Sequence, residues 1–144
     1  MKANPTLRAI LLVVSLCLLG AVQAHPVEMV EMGRHSLVDA AKPLSAEAVR
    51  HAIVDGAAIE DWRPAADQPG IVTLARNSGA GQHLAVVDVL YDTQGWQIVY
   101  RSSDNMNYER TDQGVVIRSL YNKWIEKLDI DIRHALAAAQ AAPR

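Results

Sequence analysis

The stretch SLYNKWIEKLDIDIRHALAAAQA, residues 119–141, constrains this chain more than any other. Tyr121, Trp124, Ile125, Leu128, Ile132, Ala135 and Leu136 recur at helical spacing and form one apolar face. Lys127 with Asp131, and Asp129 with Arg133, are opposite charges four residues apart, on what the pattern predicts to be the exposed face. About twenty residues at about 1.5 Å each reach roughly 30 Å, enough to cross a whole sheet. Such a helix is stable only against a partner surface, so the rest of the chain must supply one.

The middle of the chain predicts that surface. GIVTLARNS and HLAVVDVLY are rich in β-branched residues and are split by the turn GAG. DTQG separates the second run from WQIVYRSS, and turns this short imply an antiparallel meander. DWRPAAD is at best a ragged edge strand, because Pro64 cannot donate to a ladder. Alternation puts Ala85, Val87, Val89 and Tyr91 on one side, and Leu84, Val86, Asp88 and Leu90 on the other. Before these strands, Ser45 caps a short helix with Glu47 in its first turn, and Val49, Ala52, Ile53 and Gly56 form its stripe. The expected fold is α+β: a short N-terminal helix, a three- to four-stranded antiparallel meander and a long C-terminal helix, with both helices on one sheet face. Two helices cannot cover both sides of the meander, and an open face tends to meet a partner or a second copy.

The first 24 residues read differently. Lys2 and Arg8 precede an apolar run from Ala9 to Leu19, and Val22-Gln23-Ala24 ends it with small residues. That is the pattern of a cleavable signal peptide, with an apolar run shorter than a membrane span. Cys17 lies inside that run behind Leu16, a poor context for lipid attachment. Cleavage after Ala24 takes 24 of 144 residues and leaves 120, without cysteine. Removing Lys2 and Arg8 from 14 basic residues leaves 12 against 16 acidic, a formal charge of −4. Such a surface disfavours nucleic acid and anionic lipid. The expected organisation is a signal peptide over 1–24, an extended and partly mobile lead-in over 25–43, one α+β domain over 44–140 and a tail over 141–144.

With these elements placed, residues 46–133 resemble a group of small exported bacterial proteins of unknown function. The likeness rests on Trp62, the strand LAVVDVLY, the loop residues Tyr100, Ser103, Asn105, Met106 and Tyr108, and the helix residues Tyr121, Asn122, Trp124, Ile125 and Leu128. IEDW stands where a glycine usually precedes the tryptophan, and Arg118 where a histidine is common. The resemblance implies export and the α+β fold, and no activity.

YRSSDNMNYERTDQG, residues 100–114, is the first candidate site. Tyr100, Arg101, Ser103, Asn105, Asn107, Tyr108 and the nearby Asn122 would line a shallow polar pocket, since aromatic faces flanked by amides suit sugars or peptides. The same side chains also define turns through local bonds, with Met106 plugging the core. A second candidate is the open sheet face of Leu84, Val86, Asp88 and Leu90, a possible homodimer surface. On it, Asp88 reads as a cross-strand partner of Arg76 or Arg101, or as the acid of a small hydrolase. A third is the mature N-terminus, where His25, Met29, Met32 and His35 would hold copper. His51, His83 and His134 show no ligand spacing, and no nucleophile motif or phosphate-cradling loop appears. These features predict an exported, non-catalytic binding protein of the bacterial envelope. Its partner would be an envelope protein or a small ligand, with no nucleic acid and no stable membrane insertion.

Overall fold

A computed structural model of the chain describes residues 25–37 and 42–143. The expected leader, Cys17 within it and residues 38–41 lie outside the described residues. The elements run β1 (Val27–Glu28), β2 (His35–Ser36), α1 (Ala46–Ala58), β3 (Arg63–Gln68), β4 (Ile71–Asn77), β5 (Leu84–Tyr91), β6 (Gly95–Asp104), β7 (Glu109–Thr111), β8 (Gly114–Ile117) and α2 (Ser119–Ala141). They form an α+β fold with two antiparallel sheets, β2-β6-β5-β4-β3 and β1-β8-β7. No helix among the described residues is long and apolar enough to cross a membrane.

Strands β3 to β6 are the expected meander, and its turns close through the residues that the sequence put there. The Gly81 N–H donates to the Ser78 carbonyl at 2.6 Å, with Gly81 in the left-handed region at φ 65°. Asp92 accepts from the N–H groups of Gln94 and Gly95 at 2.7 and 2.9 Å and so shapes the β5–β6 turn. β3 is an exposed edge with a register shift between Pro64 and Ala66. On β5 the alternation holds: Ala85, Val87, Val89 and Tyr91 are buried, and Leu84, Val86, Asp88 and Leu90 are half-buried.

The buried sheet face, with Val72, Leu74, Val87, Val89 and Ile98, joins one core with residues from both helices. Ser45 caps α1 by accepting from the Ala48 N–H at 3.1 Å. Val49, Ala52, Ile53 and Gly56 are buried along its stripe. A Cβ added to Gly56 would sit 2.8 Å from the Asp131 carbonyl oxygen of α2, so glycine is what lets the helices approach this closely. Trp62 meets Trp124 edge-on at 6.3 Å, and the Arg76 guanidinium stacks 4.6 Å above the Trp124 ring.

Three expectations need correction. The lead-in is extended, but it contributes a strand to each sheet: Val27 opposes Ile117, and His35 opposes Trp96. The meander thereby becomes a five-stranded sheet. The stretch 100–114 is not one loop, because β6 continues to Asp104 and residues 109–117 make the β7–β8 hairpin. Finally, the carboxylates of the two α2 ion pairs are not on an exposed face. Asp129 is 4% and Asp131 5% exposed, because the lead-in covers one and α1 the other. Each still holds its expected partner, Lys127 to Asp131 at 2.8 Å and Arg133 to Asp129 at 3.0 Å.

Candidate functional site

Between β1 in the small sheet and β2 in the large one, the lead-in must cross from sheet to sheet. It leaves a cleft of ≈ 430 Å³ bounded by Met29–Gly33, by Gln97–Tyr100 of β6, and by Tyr108, Arg110 and Val115 of the β7–β8 region. Tyr121 and Ile125 of α2 complete the lining. Side chains hold the crossing in place. The Asn122 carbonyl accepts from the Val30 N–H at 3.0 Å, and its amide donates to the Glu28 carbonyl at 2.8 Å. Arg34 Nη2 donates to both carboxylate oxygens of Asp92, at 2.7 and 2.8 Å. The His35 ring stacks on Trp96 at 4.4 Å, with Nε2 2.6 Å from Asp129 Oδ1. Gly95 is required here, since a Cβ would collide with the His35 carbonyl.

The cleft wall mixes polar and apolar groups around a cluster of tyrosines. The Tyr100 and Tyr108 rings stack nearly parallel, 4.5 Å apart at 1°, and Tyr121 meets Tyr100 edge-on at 5.6 Å. Tyr100 shares a 2.9 Å hydrogen bond with Ser103. Burial first, then the neighbouring Tyr100, Glu31 and Tyr108, push the Tyr121 hydroxyl well above its ordinary value, so it stays neutral at any physiological pH. Glu31 and Arg110, both exposed, bring one charge of each sign to the cleft. A concave wall that sets aromatic faces beside polar and charged groups is what a ligand site offers. A larger groove of ≈ 740 Å³ lies between Lys42–Ser45, α1 and the alanine-rich end of α2, but aromatic side chains do not converge on it.

The loop residues divide between two tasks. Tyr100 and Tyr108 line the cleft, with Met29 and Met32 of the lead-in across from them. Asn105 and Asn107 instead set the chain's path, at φ 52° and 53°, in the left-handed region that asparagine tolerates. The Asn105 side-chain Nδ2 donates to the Gln82 carbonyl at 2.6 Å, and the Asn105 backbone carbonyl accepts from His83 Nδ1 at 2.8 Å. Met106 between them is 1% exposed and packs in the core. Asn122 holds the lead-in, and Arg101 turns away to Asp88.

On the open face, Asp88 accepts from the Thr73 hydroxyl at 2.6 Å and pairs with Arg101 at 3.0 Å. A bulge beside Arg101, where Val86 faces Ser102 and Val87 faces Tyr100, brings the guanidinium there. Arg76, the other expected partner, lies over Trp124 and pairs with Glu60 at 3.3 Å. His25, Met29, Met32 and His35, the residues expected to hold copper, are placed as follows. Met29 and Met32 face the cleft, His35 is engaged with Asp129, and His25 is exposed. Among the described residues, no three His, Cys, Asp or Glu side chains are grouped to hold a metal.

The sequence carried little sign of the lead-in wall. Its tandem VEMVEM, residues 27–32, fits neither a strand nor a helix period. Arg110 and Val115 were hidden for a related reason, since their hairpin has only three and four residues in its strands. The chain matches no family model, no curated protein and no solved structure.

Proposed function

We propose that this chain is an exported, non-catalytic binding protein and that the cleft between its two sheets is the binding site. The observation that carries the reading is the ≈ 430 Å³ cleft itself, which combines a tyrosine cluster, two methionines and an isolated charge of each sign. Such a lining favours a small ligand with apolar bulk and a charged or hydrogen-bonding group. The leader-like pattern of residues 1–24 supports export, and mass spectrometry of the envelope fraction tests it. A mature chain starting at His25 is expected, and intact precursor in the cytosol would refute it.

Anilinonaphthalene sulfonate is a suitable first probe of the cleft, because it pairs an apolar ring system with an anion that Arg110 can meet. The expected result is saturable one-to-one binding to the natively folded protein. Arg110→Ala lowers affinity by about fivefold, the worth of one exposed ion pair. Val115→Trp fills the space and removes binding. Equal binding to Val115→Trp would place the site elsewhere.

A further inference from the structure

Four consecutive residues of β6, Gln97 to Tyr100, line the cleft. Side chains alternate along a strand, so a strand bounding a cleft by its face would present every second residue. Four in a row mean that the wall is the strand's edge. β6 pairs with β5 from Trp96 to Asp104, but on its other side it meets β2 only at Gly95 and Trp96.

The direction of the edge groups follows from the register. The Tyr91 N–H donates to the Gly70 carbonyl, towards β4. Backbone groups alternate in direction along an antiparallel strand, so Leu90 and Asp88 point at β6, where they oppose Gln97 and Val99. Gln97 and Val99 therefore face β5 with their N–H and C=O groups. Ile98 and Tyr100 turn theirs into the cleft. The lead-in does not take them up by a ladder: it pairs with β6 only at His35 and Ser36, and beyond them the Gln97 side-chain Nε2 donates to the Met32 carbonyl at 3.2 Å.

The edges of β3 and β7 are guarded. β3 carries Pro64, a bulge and charges at Arg63 and Asp67, and β7 is the short polar run Glu109–Thr111. The run Ile98-Val99-Tyr100 has neither proline nor charge, and it is recessed between the lead-in and the β7–β8 hairpin. A row of alternating donors and acceptors at strand spacing is complementary to one ligand chemistry, an extended polypeptide backbone.

Resting on the binding reading above, we infer that the β6 edge receives a short extended peptide by strand addition, paired to the backbone of Ile98 and Tyr100. About four residues span the edge, roughly 13 Å at strand rise. Alternate side chains of the peptide meet Tyr121 and Ile125, so an apolar residue is favoured at every second position. A single chain enters the recess, whereas the edge of a second folded copy is too broad to do so.

The test uses the whole mature protein and the capped pentapeptide Thr-Val-Thr-Val-Thr, together with analogues N-methylated at alternate amides in either register. Amide exchange is followed by NMR. The expected result is that the parent peptide slows exchange at Ile98 and Tyr100 by about tenfold, and that methylation in the edge-facing register weakens binding by about tenfold. Equal binding of all analogues overturns strand addition, since the cleft then reads side chains alone. Unchanged exchange at both amides, while anilinonaphthalene sulfonate still binds, overturns the peptide inference and leaves the cleft reading standing. If neither probe binds, both fall. Protection of both amides without peptide that disappears on dilution means that a second copy fills the edge, and it overturns the inference too.

Discussion

Asparagine is used here for backbone geometry more than for recognition. Asn105 and Asn107 hold left-handed backbone on either side of the buried Met106, and Asn122 takes the place of a strand by bonding to the backbone of Glu28 and Val30. Replacing Asn122 with Ala removes two hydrogen bonds at about 1 kcal/mol each, so about 2 kcal/mol of stability goes. Urea unfolding measures this, and faster exchange of the Val30 amide localises it. A second residue-scale prediction has an unusual sign. Gly→Ala within a helix ordinarily gains up to about 1 kcal/mol. At Gly56 the added methyl meets the Asp131 carbonyl and the Ile132 backbone at 2.8 and 2.9 Å. Gly56→Ala is therefore expected to destabilise by about 1–3 kcal/mol, the usual cost of overpacking. A raised thermal midpoint would show that the helices can part without cost.

At the scale of elements, β1 and β2 are two residues each and cannot be stable through their ladders alone. Three side-chain clasps hold the lead-in: Asn122 at one end, then Arg34 with Asp92, and His35 with Asp129 and Trp96 at the other. The last is the most buried, with Asp129 4% exposed. His35→Ala leaves that carboxylate with Arg133 alone and is expected to cost about 2 kcal/mol, the worth of a hydrogen bond to a charged group. Limited proteolysis should then cut within residues 25–37 before anywhere in the meander, and a digest that leaves this segment intact would mean that Asn122 and Arg34 suffice. The same variant widens the cleft mouth, so weaker probe binding should accompany it.

For the molecule as a whole, charge pairs tie elements together on the outside of an apolar core, and their pH signature can be stated. The N–H of Gln94 first, then Gly95 and Arg34, hold the Asp92 carboxyl below its usual value, and Arg50 does the same for Asp67. Carboxyls depressed in the folded state contribute stability above their ordinary value near about 3.9, and that stability disappears as pH falls through the depressed folded value. Lys127 is raised, chiefly by Asp131, so its contribution is present below about 10.4 and lost as pH rises through the raised value. The thermal midpoint should be flat at neutral pH, fall below about pH 4 and fall again in strong base. Asp92→Asn should shrink the acid limb. A midpoint that already drops between about pH 7 and 5 would show that groups other than these carboxyls set the acid limb.

What could be read without coordinates was whatever depends on neighbours in the chain. The α2 stripe, the Ser45 cap, the hairpin turns and the alternation on β5 are all local patterns, and all are in the fold. The tyrosines of the cleft were legible too, as an aromatic cluster beside a turn. Tertiary structure alone decided the rest. Strands of two residues have no period to read, and their partners, Ile117 for Val27 and Trp96 for His35, are far away in sequence. The burial of Asp129 and Asp131 reversed for the same reason: helical spacing shows which residues share a face, but not how many neighbours cover it. The cleft arises where a distant segment crosses from one sheet to the other, and no local preference encodes that crossing.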